Sequence, residues 1–168
     1  DSLRQNKGSR AAGGKLRNLL RKMRLFGLYL VPLDIREDAR LLRAAIHEML
    51  AYYGLCDEYV NLPDEEQQVL LTREIINPRP LFPMDDSVFS SPTQSIIATW
   101  RMIGQAHQMY GSGCIDCVIS SMSTAPSDVL GMLLMASEVG VADVIDLVPL
   151  FETIDDLYNA SSIMTTLF

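Results

Sequence analysis

Residues Leu147 to Leu157 read LVPLFETIDDL, and the abrupt change of character within this stretch decides the fold. An apolar run from Val144 to Phe151 stops at Glu152 and Thr153, and Asp155 and Asp156 follow at once. Thr153 is suited to cap a helix, which puts the two aspartates in its first turn, where the helix dipole favours negative charge. The stretch therefore predicts a buried strand, Val144 to Phe151, that ends in a carboxylate and hands over to a helix from about Ile154. α/β proteins present reactive groups at that kind of corner. Taken alone, Glu152 is more economically a solvated turn acid. Its significance depends on the rest of the chain.

Working outward, Pro126-Ser127-Asp128 leads into a helix through Leu130, Leu133 and Leu134 to Glu138, closed by Gly140. Cys114 to Met122 is a second strand candidate. Ser91-Pro92-Thr93 opens a helix with Ile96, Ile97, Trp100 and Ile103 inward, ending near Gly111. Asn77 to Met84 holds Pro78, Pro80 and Pro83 and should be irregular. Leu62-Pro63-Asp64 starts a helix to about Ile75, with acids in its first turn. Another runs from about Asp38 to Tyr53, with Leu42, Ile46, Met49 and Leu50 on its buried side and Gly54 at its end. Before it, Leu28 to Ile35 (LYLVPLDI) is dense in aliphatic residues and predicts a strand buried on both faces, ending at Arg36. Lys15 to Leu25 is helical in pattern, and residues 1–14, rich in Gly and polar residues, read as a flexible lead-in or loop.

The sequence thus runs strand, helices, strand, helix, strand, helix. That alternation implies an α/β fold with about three parallel strands and right-handed crossovers. The strand ends at Arg36, around Met122 to Thr124, and at Glu152 then converge on one rim. A guanidinium and a carboxylate more than a hundred residues apart would face a common cleft.

Composition removes several function classes. An apolar fraction of 48% argues for a globular chain, and no apolar stretch reaches the ~18 residues of a membrane span. Without a signal-type apolar core at its start, the chain is expected to be soluble and cytoplasmic. The net charge of −7 is uneven: residues 1–24 carry eight Lys or Arg against Asp1, leaving the remainder strongly acidic. From Lys15 onward those bases interleave with Leu16, Leu19, Leu20, Met23 and Leu25 at helical spacing, with no aromatic residues for base stacking. They read as the outer face of an amphipathic helix, so no nucleic-acid partner is expected. Three cysteines, an odd number, fit a reducing compartment. Cys114 and Cys117 lie in or beside a strand, where residues three apart point to opposite faces, which disfavours a shared metal. His47 and His107 read as surface or packing residues.

Four stretches resemble bacterial-type phosphoenolpyruvate carboxylase: FGLYLVPLDIR (Phe26 to Arg36), NPRPLFP (Asn77 to Pro83), ISSMSTAPSDVL (Ile119 to Leu130) and VPLFETIDDLYNASSIMTTLF (Val148 to Phe168). They occur in that family's order, and the resemblance covers nearly everything from Lys15 onward. It implies that residues 15–168 are an internal segment of a (β/α)8 TIM-like barrel with extensive helical elaboration. The family converts phosphoenolpyruvate and bicarbonate to oxaloacetate and phosphate with Mg2+ or Mn2+, usually as a homotetramer. The resemblance also implies site roles. Glu152 corresponds to a metal ligand, and Arg36 to a residue that binds the substrate phosphate. Hard divalent cations prefer carboxylate oxygens, and guanidinium suits phosphate through paired hydrogen bonds. The implied reaction forms carboxyphosphate and the enolate of pyruvate, which then attacks carbon dioxide.

The chain departs from the family pattern just after Arg36, where Glu37, Asp38 and Ala39 stand in place of Gln, an acid and Ser. Ser120 takes a usually aliphatic strand position, and Val118 one that is usually Tyr. Other catalytic motifs of the family, a TAHPTE-type segment and a glycine-rich segment with a second metal acid, are expected outside these residues. The isolated chain is therefore expected to be inactive. The alternative is a non-catalytic interaction or structural domain derived from the same barrel.

Overall fold

The computed structural model describes residues 2–27 and 31–168, and the chain falls into two units, Asp1–Pro32 and Leu33–Phe168. The first holds helices α1 (Ser2–Gln5), α2 (Ser9–Gly13) and α3 (Lys15–Phe26). Short helical turns thus occupy part of the stretch expected to be a loop. In α3, Leu19, Leu20, Met23 and Leu25 line up at helical spacing as expected, yet none of its residues is buried. Gly27, at φ 57°, ends the helix by donating its N–H to the Met23 carbonyl.

In the second unit, strands β1 (Leu33–Asp38), β2 (Ile115–Ser121) and β3 (Asp146–Pro149) form a parallel sheet in the order β1-β2-β3. Parallel neighbours need crossover connections. Here α4 (Ala39–Tyr52), α5 (Asp64–Ile76) and α6 (Ser91–Tyr110) bridge β1 to β2. Helix α7 (Pro126–Glu138) bridges β2 to β3, and α8 (Ile154–Leu167) follows. The α/β alternation read from the sequence is the observed topology, in a chain that is mostly helical.

Two strand boundaries differ from expectation. The predicted first strand began at Leu28; residues 28–30 lie outside the described residues, and β1 starts only at Leu33. It also continues past Arg36, because Glu37 and Asp38 still pair with Ser120 and Ser121. Backbone pairing, not hydropathy, sets that end. The third strand is shorter than predicted, since residues 142–144 form a turn and only Asp146 to Pro149 find partners, from Cys117 to Ser120. The ladder between β1 and β2 also slips: Leu33 pairs with Ile115, but Asp34 pairs with Cys117, leaving Asp116 as an extra residue.

Helices α4, α6 and α7 pack against the sheet, and α5 packs on α7. The core they enclose centres on Trp100, with Leu42, Ile46, Leu50, Ile97, Ile103, Val118 and Leu134 all at 1% exposure or less. Each such side chain contributes roughly 1.5–3 kcal/mol of burial. Gly131 lets α4 and α7 approach closely, since a Cβ there would lie 2.9 Å from Ile46 Cδ1. The proline-bearing stretch Asn77 to Met84 is irregular, as expected. It is fastened by Glu74, which pairs with Arg79, and by Glu138, whose Oε2 accepts the N–H groups of Leu81 (2.8 Å) and Phe82 (3.0 Å). Among the described residues no helix is long and apolar enough to cross a membrane.

Candidate active site at the carboxyl end of the sheet

Side chains alternate across a strand, and downstream of the slip in β2 the register sorts the sheet into two faces. Ile35, Val118 and Leu147 are cross-strand neighbours and pack toward the helices. Arg36, Ile119 and Val148 are the next row and lie on the other face. Within the second unit this face is left uncovered: Asp34, Arg36, Asp146 and Val148 are exposed, the Arg36 side chain at 70%.

Arg36 lies two residues inside β1, not at its end as the sequence suggested. Its nearest carboxylate is Asp34, two residues back on the same face, with Nε to Oδ2 at 3.8 Å. So exposed and long a pair contributes ~0–1 kcal/mol and leaves most guanidinium donors available. The acids after Arg36 point elsewhere. Glu37 is on the helix-packed face, in register with Ser120. Burial pushes its carboxyl pKa up, against a lowering contact with Thr99. Asp38 caps α4 by accepting from the Arg40 N–H (2.9 Å) and binds the Arg40 guanidinium at 2.6 Å. That charge-assisted contact holds its pKa below the usual carboxylate range.

Glu152 stands at the carboxyl edge. The ladder continues one residue past β3, through Leu150 N–H to the Ser120 carbonyl (2.8 Å), which brings the following loop alongside the end of β2. There Glu152 Oε2 accepts the Met122 N–H at 3.0 Å. Thr153 and Asp156 then cap α8 reciprocally, Thr153 N–H to Asp156 Oδ2 at 3.0 Å and Asp156 N–H to Thr153 Oγ1 at 3.1 Å, as the sequence suggested. That cap fixes where the chain turns just after Glu152. Because Arg36 pairs with Ile119, three residues before Met122, its Cα lies about 10 Å back along the sheet from the Glu152 anchor. The fold thus brings both residues to the carboxyl half of one small sheet.

A hard divalent cation could use the second oxygen of Glu152, because only Oε2 carries the backbone hydrogen bond described above. Among the described residues, however, no group of three or more His, Cys, Asp or Glu side chains is placed to hold a metal ion. These residues offer one carboxylate ligand and not a closed cage. Mg2+ commonly binds in that way, through one or two carboxylates with substrate and water completing its shell.

Two residues near the rim were not singled out as site residues from sequence. Met122 adopts a left-handed backbone at φ 56°, rare for a residue with a Cβ. Asp128, nearly fully buried, pairs with Arg43 of α4 and accepts the N–H groups of Thr124 (2.9 Å) and Ala125 (3.2 Å). An acid near a helix start preceded by Ser and Thr was the available signal for Asp128; nothing in the sequence marks Met122. The two cysteines differ in setting: Cys114 ends a short 3-10 turn and packs on the core, whereas Cys117 shares the uncovered face with Asp34. His107 Nε2 contacts the Ile115 carbonyl at 2.7 Å, a packing role.

A family model described as phosphoenolpyruvate carboxylase matches residues 1–168. Curated proteins named phosphoenolpyruvate carboxylase from Yersinia pestis and Serratia proteamaculans (strain 568) are each 39% identical to this chain over 156 residues. The matched region is 93% of this chain, which spans 17% of the length of those relatives.

Proposed function

This chain belongs to the phosphoenolpyruvate carboxylase family, and we propose from that premise that it forms part of a lyase joining phosphoenolpyruvate and bicarbonate into oxaloacetate and phosphate. In this reading, residues 15–168 are a segment of a (β/α)8 barrel, preceded by a lead-in at 1–14. The three parallel strands are consecutive barrel strands, and their uncovered face looks into the barrel. The whole enzyme is cytoplasmic and homotetrameric.

Arg36 binds the substrate phosphate, and Glu152 is one ligand of Mg2+ or Mn2+. The observation that carries the reading is Glu152 at the carboxyl edge of a parallel sheet, held by one oxygen with the other free. Barrel enzymes place their chemistry at that edge. Arg36, exposed and only loosely engaged by Asp34, can turn its paired donors to a phosphate. A bound cation supplies Lewis-acid stabilisation of negative charge developing on the substrate. The chain's own part is to hold one ligand oxygen, to orient the phosphate, and to exclude water with the helix-backed wall of the sheet. Three strands alone leave two open edges and an uncovered face, so the isolated chain has no carboxylase activity.

The test is a coupled oxaloacetate assay on the carboxylase that carries this segment. Arg36→Ala and Glu152→Ala should each lower kcat/KM by about a hundredfold or more. Near-normal turnover in either variant withdraws that residue's role. Metal-dependent turnover by the isolated chain would overturn the claim of inactivity. Full activity in both variants would favour a non-catalytic domain derived from the same barrel.

A further inference from the structure

The loop between β2 and α7 is tethered on both sides of its one strained residue. Before Met122, the Ser121 hydroxyl donates to the Glu37 carbonyl at 3.1 Å. After it, the Ser123 hydroxyl, 1% exposed, donates to the Ser120 carbonyl at 3.1 Å. The Asp128 carboxylate then accepts the next two backbone N–H groups while its other oxygen pairs with Arg43. A left-handed conformation at a non-glycine residue is strained and persists only where neighbours over-determine it. Every tether here works to that end. Met122 lends its N–H to Glu152.

We infer that Asp128, with Arg43 and Ser123 behind it, is a positioning residue for Glu152. It locks Met122 in the left-handed conformation, whose N–H occupies one carboxylate oxygen of Glu152 and leaves the other turned out for a cation. Asp128 touches no reacting atom in this scheme; it acts through one backbone amide. The geometry stands on its own, and only its consequence for the cation rests on the reading of Glu152 as a metal ligand.

Selective 15N labelling of methionine in the 168-residue chain reports the key amide directly. Its resonance is assigned by its loss in Met122→Leu, and Met49 and Met135, both at 0% exposure in α4 and α7, serve as folding controls. Asp128→Asn and Glu152→Gln should each move the Met122 resonance upfield and speed its exchange with solvent. The double variant should add nothing beyond either single change, because both remove the same bond. If Asp128→Asn also unprotects Met49 and Met135, Ser123→Ala, which deletes one hydroxyl, replaces it. A Met122 amide unmoved by the folded variant overturns the inference, as does full additivity in the double variant. A second arm titrates Mn2+ alone into the carboxylase that carries this segment, following free Mn2+ by electron paramagnetic resonance. Asp128→Asn should weaken binding about tenfold, the usual cost of losing an outer-shell partner. Mn2+ binding that is absent, or indifferent to Glu152→Gln, overturns the metal role of Glu152. The positioning claim is then decided by the amide alone.

Discussion

On one side of the sheet, Val118 and Ser120 are completely buried beneath α4, α6 and α7; on the other, Asp34, Arg36, Asp146 and Val148 meet solvent. The backbone and its ladder are common to both faces. What differs is which residues alternation assigns to each, and with it whether a side chain serves packing or chemistry. Stability resides in the covered face and its helices. The uncovered face can carry charged groups at little cost because nothing depends on its packing. In a sheet this narrow the two roles are separated by one peptide unit.

The separation is broken most forcefully from the covered side. Trp100→Ala, at the centre of the core, should lower unfolding free energy by about 3–5 kcal/mol in denaturant titrations; a loss under ~1 kcal/mol would mean the core is organised elsewhere. Ser120→Ala tests the same face with the opposite sign. The Ser120 hydroxyl is wholly buried without a hydrogen-bond partner among the described residues, so removing it should raise stability by about 1 kcal/mol, and a loss would reveal a partner for it.

Glu37→Gln sharpens the contrast through pH. The folded state holds this carboxyl's proton more tightly than the unfolded chain does, because burial raises its pKa above 4.5. Its contribution to stability is therefore complete below that value and lost as pH rises through the raised one. Thermal melts across pH should show the Glu37→Gln variant gaining on the parent as pH climbs toward neutral; a constant difference would remove the buried-carboxyl account. The smallest expected change is Arg36→Ala, within ±0.5 kcal/mol in the same titrations despite its proposed role in phosphate binding. A large loss there would place this arginine among the structural residues.

Helix positions were the most legible feature, because caps and periodicity are local: Asp38, Thr153, Gly54 and Gly140 mark ends that the backbone respects. The parallel topology followed from alternation of elements. Strand limits were harder to read, since they depend on partners distant in sequence. Arg36, Glu37 and Asp38 look like the end of a strand, yet Ile119, Ser120 and Ser121 extend it. At the site, Glu152 was visible as a carboxylate at a strand-to-helix corner, whereas Arg36 was expected at such a corner and lies two residues inside β1. The Met122 amide was invisible, because a backbone donor leaves no signature in composition, and Asp128 looked like an ordinary helix opener.

One irregularity, the unpaired Asp116, sets the phase of the whole second strand. Ile115 and Val118 both face inward although they are an odd number of positions apart, and the extra residue absorbs the mismatch. Deleting Asp116 would therefore cost no more than a surface acid: Ile115 and Val118 would fall two positions apart, and plain alternation would still turn both inward. Removing one residue from any point between Cys117 and Ser121 has no slip to absorb it, and would turn every later side chain of the strand to the opposite face.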